Sequence, residues 1–129
     1  LLAADPKSIE ELQTTTYKST RIARALGKSG AVAITIQEIP AERLRTLQNT
    51  MYDAKGNIIR SKNDKFCALI CTDAIIDPPV KDPELIKHFG CSTPLELVNK
   101  LFGMEVYTIS DKVYELCGIS DELEDEIKN

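Results

Sequence analysis

His88 is the one histidine of the chain, and Cys91 follows three residues later in the stretch KHFGCSTPLELVNKLF, Lys87 to Phe102. A thiol and an imidazole that close are the raw material of a nucleophile and its base, or of two metal ligands. Cys67 and Cys71 stand four residues apart, a spacing that shares one helix face, and could join them in a four-ligand set. Asp73 and Asp77 are also four apart, a pairing suited to a divalent cation or to acid–base work.

Each pairing lacks something its chemistry needs. A cysteine nucleophile requires a group that orients its base and donors for the developing oxyanion, and no motif marks either. The spacings C-x3-C and H-x2-C differ from the paired C-x2-C of a zinc ribbon. Cys67 and Cys71 also fit the apolar stripe of a helix as small core residues. Asp77 precedes Pro78, a common place for a helix to end. Phosphate-binding glycine loops, nucleophile elbows and zincin helices do not occur in the sequence. The expectation is a protein that is not an enzyme, with no catalytic residue, no metal and no cofactor.

Local physics accounts for most of the opening stretch without chemistry. Gly90 suits the left-handed position that stops a helix. Thr93-Pro94-Leu95-Glu96 fits a capping box: the Thr93 side chain would accept the Glu96 amide, and Glu96 would reach back to the Thr93 amide. Pro94 falls at the first helical position, where its missing N–H costs nothing. Leu95, Val98, Leu101 and Phe102 then form an apolar face.

Around this stretch the chain divides into an extended part and a helical part. Thr16 to Leu26 is rich in β-branched and basic residues, and Ala31 to Ile39 alternates, with Val32, Ile34 and Ile36 on one face. Gly27-Lys28-Ser29-Gly30 between them is a turn signal, so residues 16–39 are expected to form a β-hairpin. Residues 40–129 are expected to be helical. One helix starts at Pro40 with Glu42 in its first turn and Leu44, Leu47 and Met51 on its face. A second covers about Asn63 to Ile76, with an apolar stripe wide enough for the middle of the core. Asp77-Pro78-Pro79 stops it. A short helix carries Leu85, Ile86 and Phe89. A further one places Val106, Ile109, Val113 and Leu116 on one side and stops at Gly118. The end, from Ser120, reads as a last short helix with Asp121 and Glu122 at its positive pole. The fold class expected is α+β: one mainly α-helical domain over residues 1–129 with an N-terminal β-hairpin.

The composition narrows the function classes. The 129 residues are 43% hydrophobic and 28% charged, in line with a globular domain that needs no disulfide staples. The chain has no run long enough to span a membrane, which argues against a membrane partner. Four cysteines without a need for disulfides fit a reducing cytoplasm. The chain opens without Met, so a few residues are expected to precede it. The net charge is −4 but uneven: residues 1–65 carry 11 Lys and Arg against 7 Asp and Glu, and residues 66–129 carry 5 against 13. An acidic chain with 5% aromatic residues is a poor nucleic-acid binder. The asymmetry favours head-to-tail self-association or a charged partner, unless it is simply solvated surface.

The order of motifs carries a resemblance. CALICTDAIIDPPVKDPELIKHFGCSTPLELVNKLF is followed by VYELCG and then by DEIKN. This arrangement is similar to the small tail assembly chaperones of tailed bacteriophages and defective prophages, the XkdN-like family of PBSX-type elements. Those proteins tend to have an acidic-proline turn after a helix, a short helix ending in Tyr/Phe-Gly, a P-x-E-L-V-x-K-L helix, V-x-E-L-x-G and a short tail resembling E-E-x-K-N. The resemblance covers about residues 16–129 and is stronger after Phe66. The Gly90-Cys91-Ser92 step departs from the family pattern, which makes Cys91 incidental.

The resemblance implies a non-enzymatic role: coating the tape-measure protein, a long helical chain that sets tail length, until tail-tube subunits replace the chaperone. It implies the host cytoplasm as location and absence from the finished virion. In many phages a ribosomal frameshift makes a longer second form, of which the Lys128-Asn129 ending would mark the short one. A long helix with exposed apolar stripes aggregates unless covered, and a helix-in-groove contact would suit it. Leu95, Val98, Leu101, Phe102, Val106 and Ile109 are the candidate partner-binding residues, in competition with inward packing in the domain's own core. The hairpin edge offers a second route, strand addition between copies in a homo-oligomer. Two other readings remain open at this point. One is a virion structural or adaptor protein. The other is a small helix-turn-helix-like DNA-binding regulator, which the scarcity of basic residues between Lys87 and Lys100 disfavours.

Overall fold

The alternation of apolar residues in Ala31 to Ile39 produces the strand it predicts. In the computed structural model, which describes residues 2–119, β1 (Thr14–Ser19) and β2 (Val32–Gln37) pair antiparallel in unbroken register from Thr14 opposite Gln37 to Ser19 opposite Val32. Ile34 and Ile36 turn inward and are fully buried, while Ala33 just before them faces solvent. The hairpin pairing is therefore as expected, but its connection is not a tight turn.

The connection contains a helix, α2 (Thr20–Ala25). Ser19 is its N-cap: the Ser19 side chain accepts the amide of Ile22 at 3.1 Å. Arg21, Ala23, Arg24 and Ala25 are strong helix formers, and two β-branched residues do not outweigh them. The expected strand over 16–26 is thus half strand and half helix.

The free edge of β2 takes a third strand, β3 (Ile75–Asp77), giving the antiparallel order β1-β2-β3. Sequence periodicity places these residues at the end of a helix. That helix, α4 (Asn63–Ala74), stops two residues early, and Ile75 turns extended at φ −74° and ψ 118°. The residue before a proline is pushed from helical to extended backbone, and Asp77 precedes Pro78 through a cis peptide. Pairing with β2 then takes the place of the helical hydrogen bonds expected at Ile75 and Ile76.

The helices cover one face of this sheet. A short exposed α1 (Pro6–Glu10) precedes β1. After β2 come α3 (Ala41–Asn49), then α4, then α5 (Pro83–His88), α6 (Pro94–Phe102) and α7 (Glu105–Leu116). Helix α3 presents Leu44 and Leu47 inward and ends before Met51, which is half-buried beyond it. The central element is α4, which packs against α3, α6 and α7 and buries Phe66, Cys67, Ala68, Ile70, Cys71, Thr72 and Ala74. One continuous apolar core joins it to Ile34 and Ile36 of the sheet, to Leu97, Val98 and Phe102 of α6, and to Val106, Ile109 and Val113 of α7. The architecture is a mostly helical α+β domain. The last short helix expected from Ser120 onward lies outside the described residues.

Candidate interaction site

The residues that could have done chemistry are kept apart or put to structural use. His88 is exposed in the last turn of α5, its ring edge-on to Phe89 with centroids 5.1 Å apart. Cys91 is half-buried, its thiol directed at the Phe89 carbonyl at 3.7 Å. Cys67 and Cys71 are buried on α4, where the Cys71 thiol donates to the Val106 carbonyl of α7 at 3.3 Å. Burial pushes the Cys71 thiol up to about 12 and raises that of Cys67 as well. A raised thiol is a poor nucleophile and a poor metal ligand at neutral pH. Asp73 pairs with Arg43 of α3 at 2.5 Å, and Asp77 is exposed on β3. Among the described residues, no group of three or more His, Cys, Asp and Glu side chains could hold a metal ion. No helix among them is long and apolar enough to cross a membrane.

The cap before α6 forms with one change of partner. The Thr93 side chain accepts the Glu96 amide at 3.1 Å, as the capping box requires. The Glu96 carboxylate accepts from the Ser92 amide at 3.0 Å, one residue earlier than the box expects. Gly90 closes α5 at φ 72°, a left-handed conformation that glycine adopts without steric cost. These local features end α5 and start α6.

Packing of α6 and α7 against α4 decides which candidate contact residues remain at the surface. Val98, Phe102 and Ile109 are 0% exposed and Val106 is 4%, so all four belong to the core shared with α4. Folded, the domain does not offer them to a partner. Leu95 and Leu101 are half-buried and retain part of their surface.

Leu101 opens onto a groove of about 340 Å³ that the sequence did not reveal. Its lining is Arg21, Arg24 and Ala25 of α2 with Phe89, Lys100 and Leu101. Arg21 reaches 80 positions along the chain to the end of α6, where its Nε donates to the Leu101 carbonyl at 3.1 Å and a terminal nitrogen to that of Lys100 at 3.2 Å. A cation at a helix C-terminus is favoured both by hydrogen bonding and by the helix dipole. Gly103 lets it lie there: a Cβ at that position would come within 3.1 Å of the guanidinium carbon. The Lys100 ammonium donates to the Phe89 carbonyl at 2.7 Å, tying α6 to the end of α5. No carboxylate lies in ion-pair range of Arg21, Arg24 or Lys100 among the described residues, where Arg43–Asp73 is the salt bridge. The groove is therefore apolar at its floor and positively charged at its rim.

Residues 19–25 were missed as part of a site because their β-branched members suggest a strand. The available signal was Ser19 followed by Arg-Ile-Ala-Arg-Ala-Leu, a cap ahead of good helix formers. A larger hollow, about 460 Å³, runs along α4 and α7, and Tyr107 on its wall donates to the Asp64 carboxylate.

The described residues form a small α+β domain that carries a groove lined by cationic and apolar side chains. The family model for the phage XkdN-like tail assembly chaperone protein matches residues 1–129, and the chain belongs to that family. It is a family of assembly chaperones, which have protein partners in tail assembly. The search of curated protein sequences finds no match. Among solved structures, the chain is similar to the crystal structure of the protein YqbN, a structural genomics target. The TM-score is 0.58 at 17% identity, covering 84% of this chain and 88% of that one. At that identity the likeness shows a shared fold.

Proposed function

We propose that this protein binds the tape-measure protein of its own phage or prophage, keeps that long helical chain soluble, and gives way to tail-tube subunits as the tube assembles. The observation that carries this reading is membership of the XkdN-like tail assembly chaperone family over the whole chain. The role is non-enzymatic and needs no cofactor, nucleic acid or membrane. It is exercised in the cytoplasm of the bacterial host, and the protein is absent from the finished virion.

Of the six candidate contact residues, Leu95 and Leu101 would touch the partner, a reading supported by the part of their surface that stays exposed. Val98, Phe102, Val106 and Ile109 act from beneath, by holding α6 and α7 on the core. An amphipathic helix laid along α6 would cover the exposed parts of both leucines and shield its own apolar stripe from water.

Co-expression with the tape-measure protein of the same element tests this. The expected result is a tape measure that is insoluble alone, soluble in the presence of this chain, and co-purified with it at moderate salt. A tape measure that stays insoluble with both this chain and a frameshifted long form, with nothing co-purified, rejects the reading. Recovery of the protein in purified virions rejects it in favour of a structural component.

A further inference from the structure

We propose that the groove between α2 and α6 seats an acidic amphipathic helix of the tape-measure protein, with aliphatic side chains on the groove floor and carboxylates at Arg24. This rests on the tape-measure reading above and names the chemistry of the segment bound. The groove sets Arg21, Arg24 and Lys100 around Ala25, Phe89 and Leu101. Its 340 Å³ is at the small end of the range of about 300–1,000 Å³ usual for ligand sites. It takes a few side chains of a helix lying across it, not the whole helix.

The three cations differ in what holds them. Arg21 donates to the Leu101 and Lys100 carbonyls, and Lys100 donates to the Phe89 carbonyl. Both are fixed against the ends of α5 and α6. Arg24 projects from the last turn of α2, exposed, its side chain without hydrogen bond or ion pair among the described residues. None of the three meets a carboxylate there. Two fixed cations and one uncommitted one make a positive rim, whose complement is a partner's carboxylates. Between them Phe89 and Leu101 are half-buried, and Leu26, next in the chain after Ala25, is 59% exposed. Apolar surface bordered by cations calls for aliphatic side chains bordered by acids.

A nucleic acid suits the groove less well. Phosphate neutralisation takes several cations free to reach successive phosphates, and two of these three are engaged with carbonyls. The aromatic ring of the lining, Phe89, is half-buried and edge-on to His88. One such ring makes no platform for successive bases. A helix with aliphatic residues three or four apart and acids beside them offers both kinds of contact from one face.

Overlapping peptides that cover the tape-measure protein, probed with the full chain at low and high salt, test the proposal. Peptides captured at low salt are expected to carry Asp or Glu beside aliphatic residues three or four apart, and to be released at high salt. Arg24→Glu is expected to weaken capture about tenfold or more. Arg24→Gln, which sets no anion at the C-terminal end of α2, is expected to weaken it less. Lys55→Glu makes the same charge change as Arg24→Glu in the exposed loop after α3, and is expected to bind as wild type. A captured peptide with its acids changed to lysine is expected to lose the wild-type protein and to regain Arg24→Glu. Co-purification of the full-length tape measure separates this proposal from the reading it rests on. A tape measure held equally by wild type and Arg24→Glu overturns the proposal and leaves that reading intact, whether the groove is then empty, covered by its own chain or taken by another copy. A tape measure that wild type does not hold rejects both. Captured peptides that are basic, or capture indifferent to salt, overturn the proposal as well.

Discussion

The Ser19 hydroxyl donates to the Glu105 carboxylate at 2.6 Å, across 86 positions of the chain. Ser19 is fully buried at the junction of β1 and α2, and Glu105 is the first residue of α7. The second oxygen of Glu105 accepts from the Tyr17 hydroxyl at 3.0 Å. One carboxylate thus fastens the hairpin to the helical layer while sitting at the positive end of α7. Glu105→Ala is expected to destabilise the fold by about 1–3 kcal/mol, since the buried hydroxyl loses its acceptor. Glu105→Gln keeps an acceptor and should recover part of the loss. Urea denaturation at neutral pH measures both, and equal losses in the two variants would show that the hydrogen bonds contribute little.

The same contact gives the fold an alkaline limit. Burial, followed by the Glu105 carboxylate, raises the Tyr17 phenol from 10.0 to about 12. The folded chain therefore holds this proton more tightly than the unfolded chain does. The corresponding stability is fully present below pH 10.0 and is lost as pH climbs towards about 12. The stability advantage of wild type over Tyr17→Phe should shrink across that window. Parallel curves for the two proteins from pH 9 to 12 would contradict it.

The four cysteines are expected to separate by accessibility. Cys71 is fully buried with its thiol raised by burial, whereas Cys91 is half-buried in the turn between α5 and α6. A thiol reagent at neutral pH should label Cys91 first and Cys71 only on unfolding, because the thiolate is the reactive form and must be reached. Mass spectrometry of peptides after timed labelling reads the order. Early modification of Cys71 in folded protein would contradict the packing of α4 on α7.

Adjacent residues of α6 should divide stability from binding. Phe102 is fully buried, and Phe102→Ala is expected to cost about 3–5 kcal/mol. Leu101 is half-buried on the groove wall, and Leu101→Ala is expected to cost about 1 kcal/mol. Denaturation combined with co-purification of the tape measure separates the two effects. A Leu101→Ala protein that is stable and recovers as much tape measure as wild type would remove Leu101 from the contact face.

Features that depend on near neighbours were legible from residue order alone. Alternation within Val32–Gln37 makes an amphipathic strand, the Thr93–Glu96 spacing makes a cap, and Gly90 makes a stop, because each is settled by atoms a few residues apart. The order of such signals also carried the family. Tertiary structure decided what needs distant partners. Ile75–Asp77 became a strand because β2 had a free edge, and Thr20–Ala25 became a helix between paired strands. The apolar residues of α6 divided into core and surface only when α4 and α7 closed over Val98 and Phe102 and left part of Leu101 uncovered. The groove itself joins Arg21 and Arg24 to Phe89, Lys100 and Leu101, far apart in the chain. Helical and strand periodicity report which side of a segment is apolar. Which neighbour covers that side, and how much of it stays open, is set by packing across the whole core.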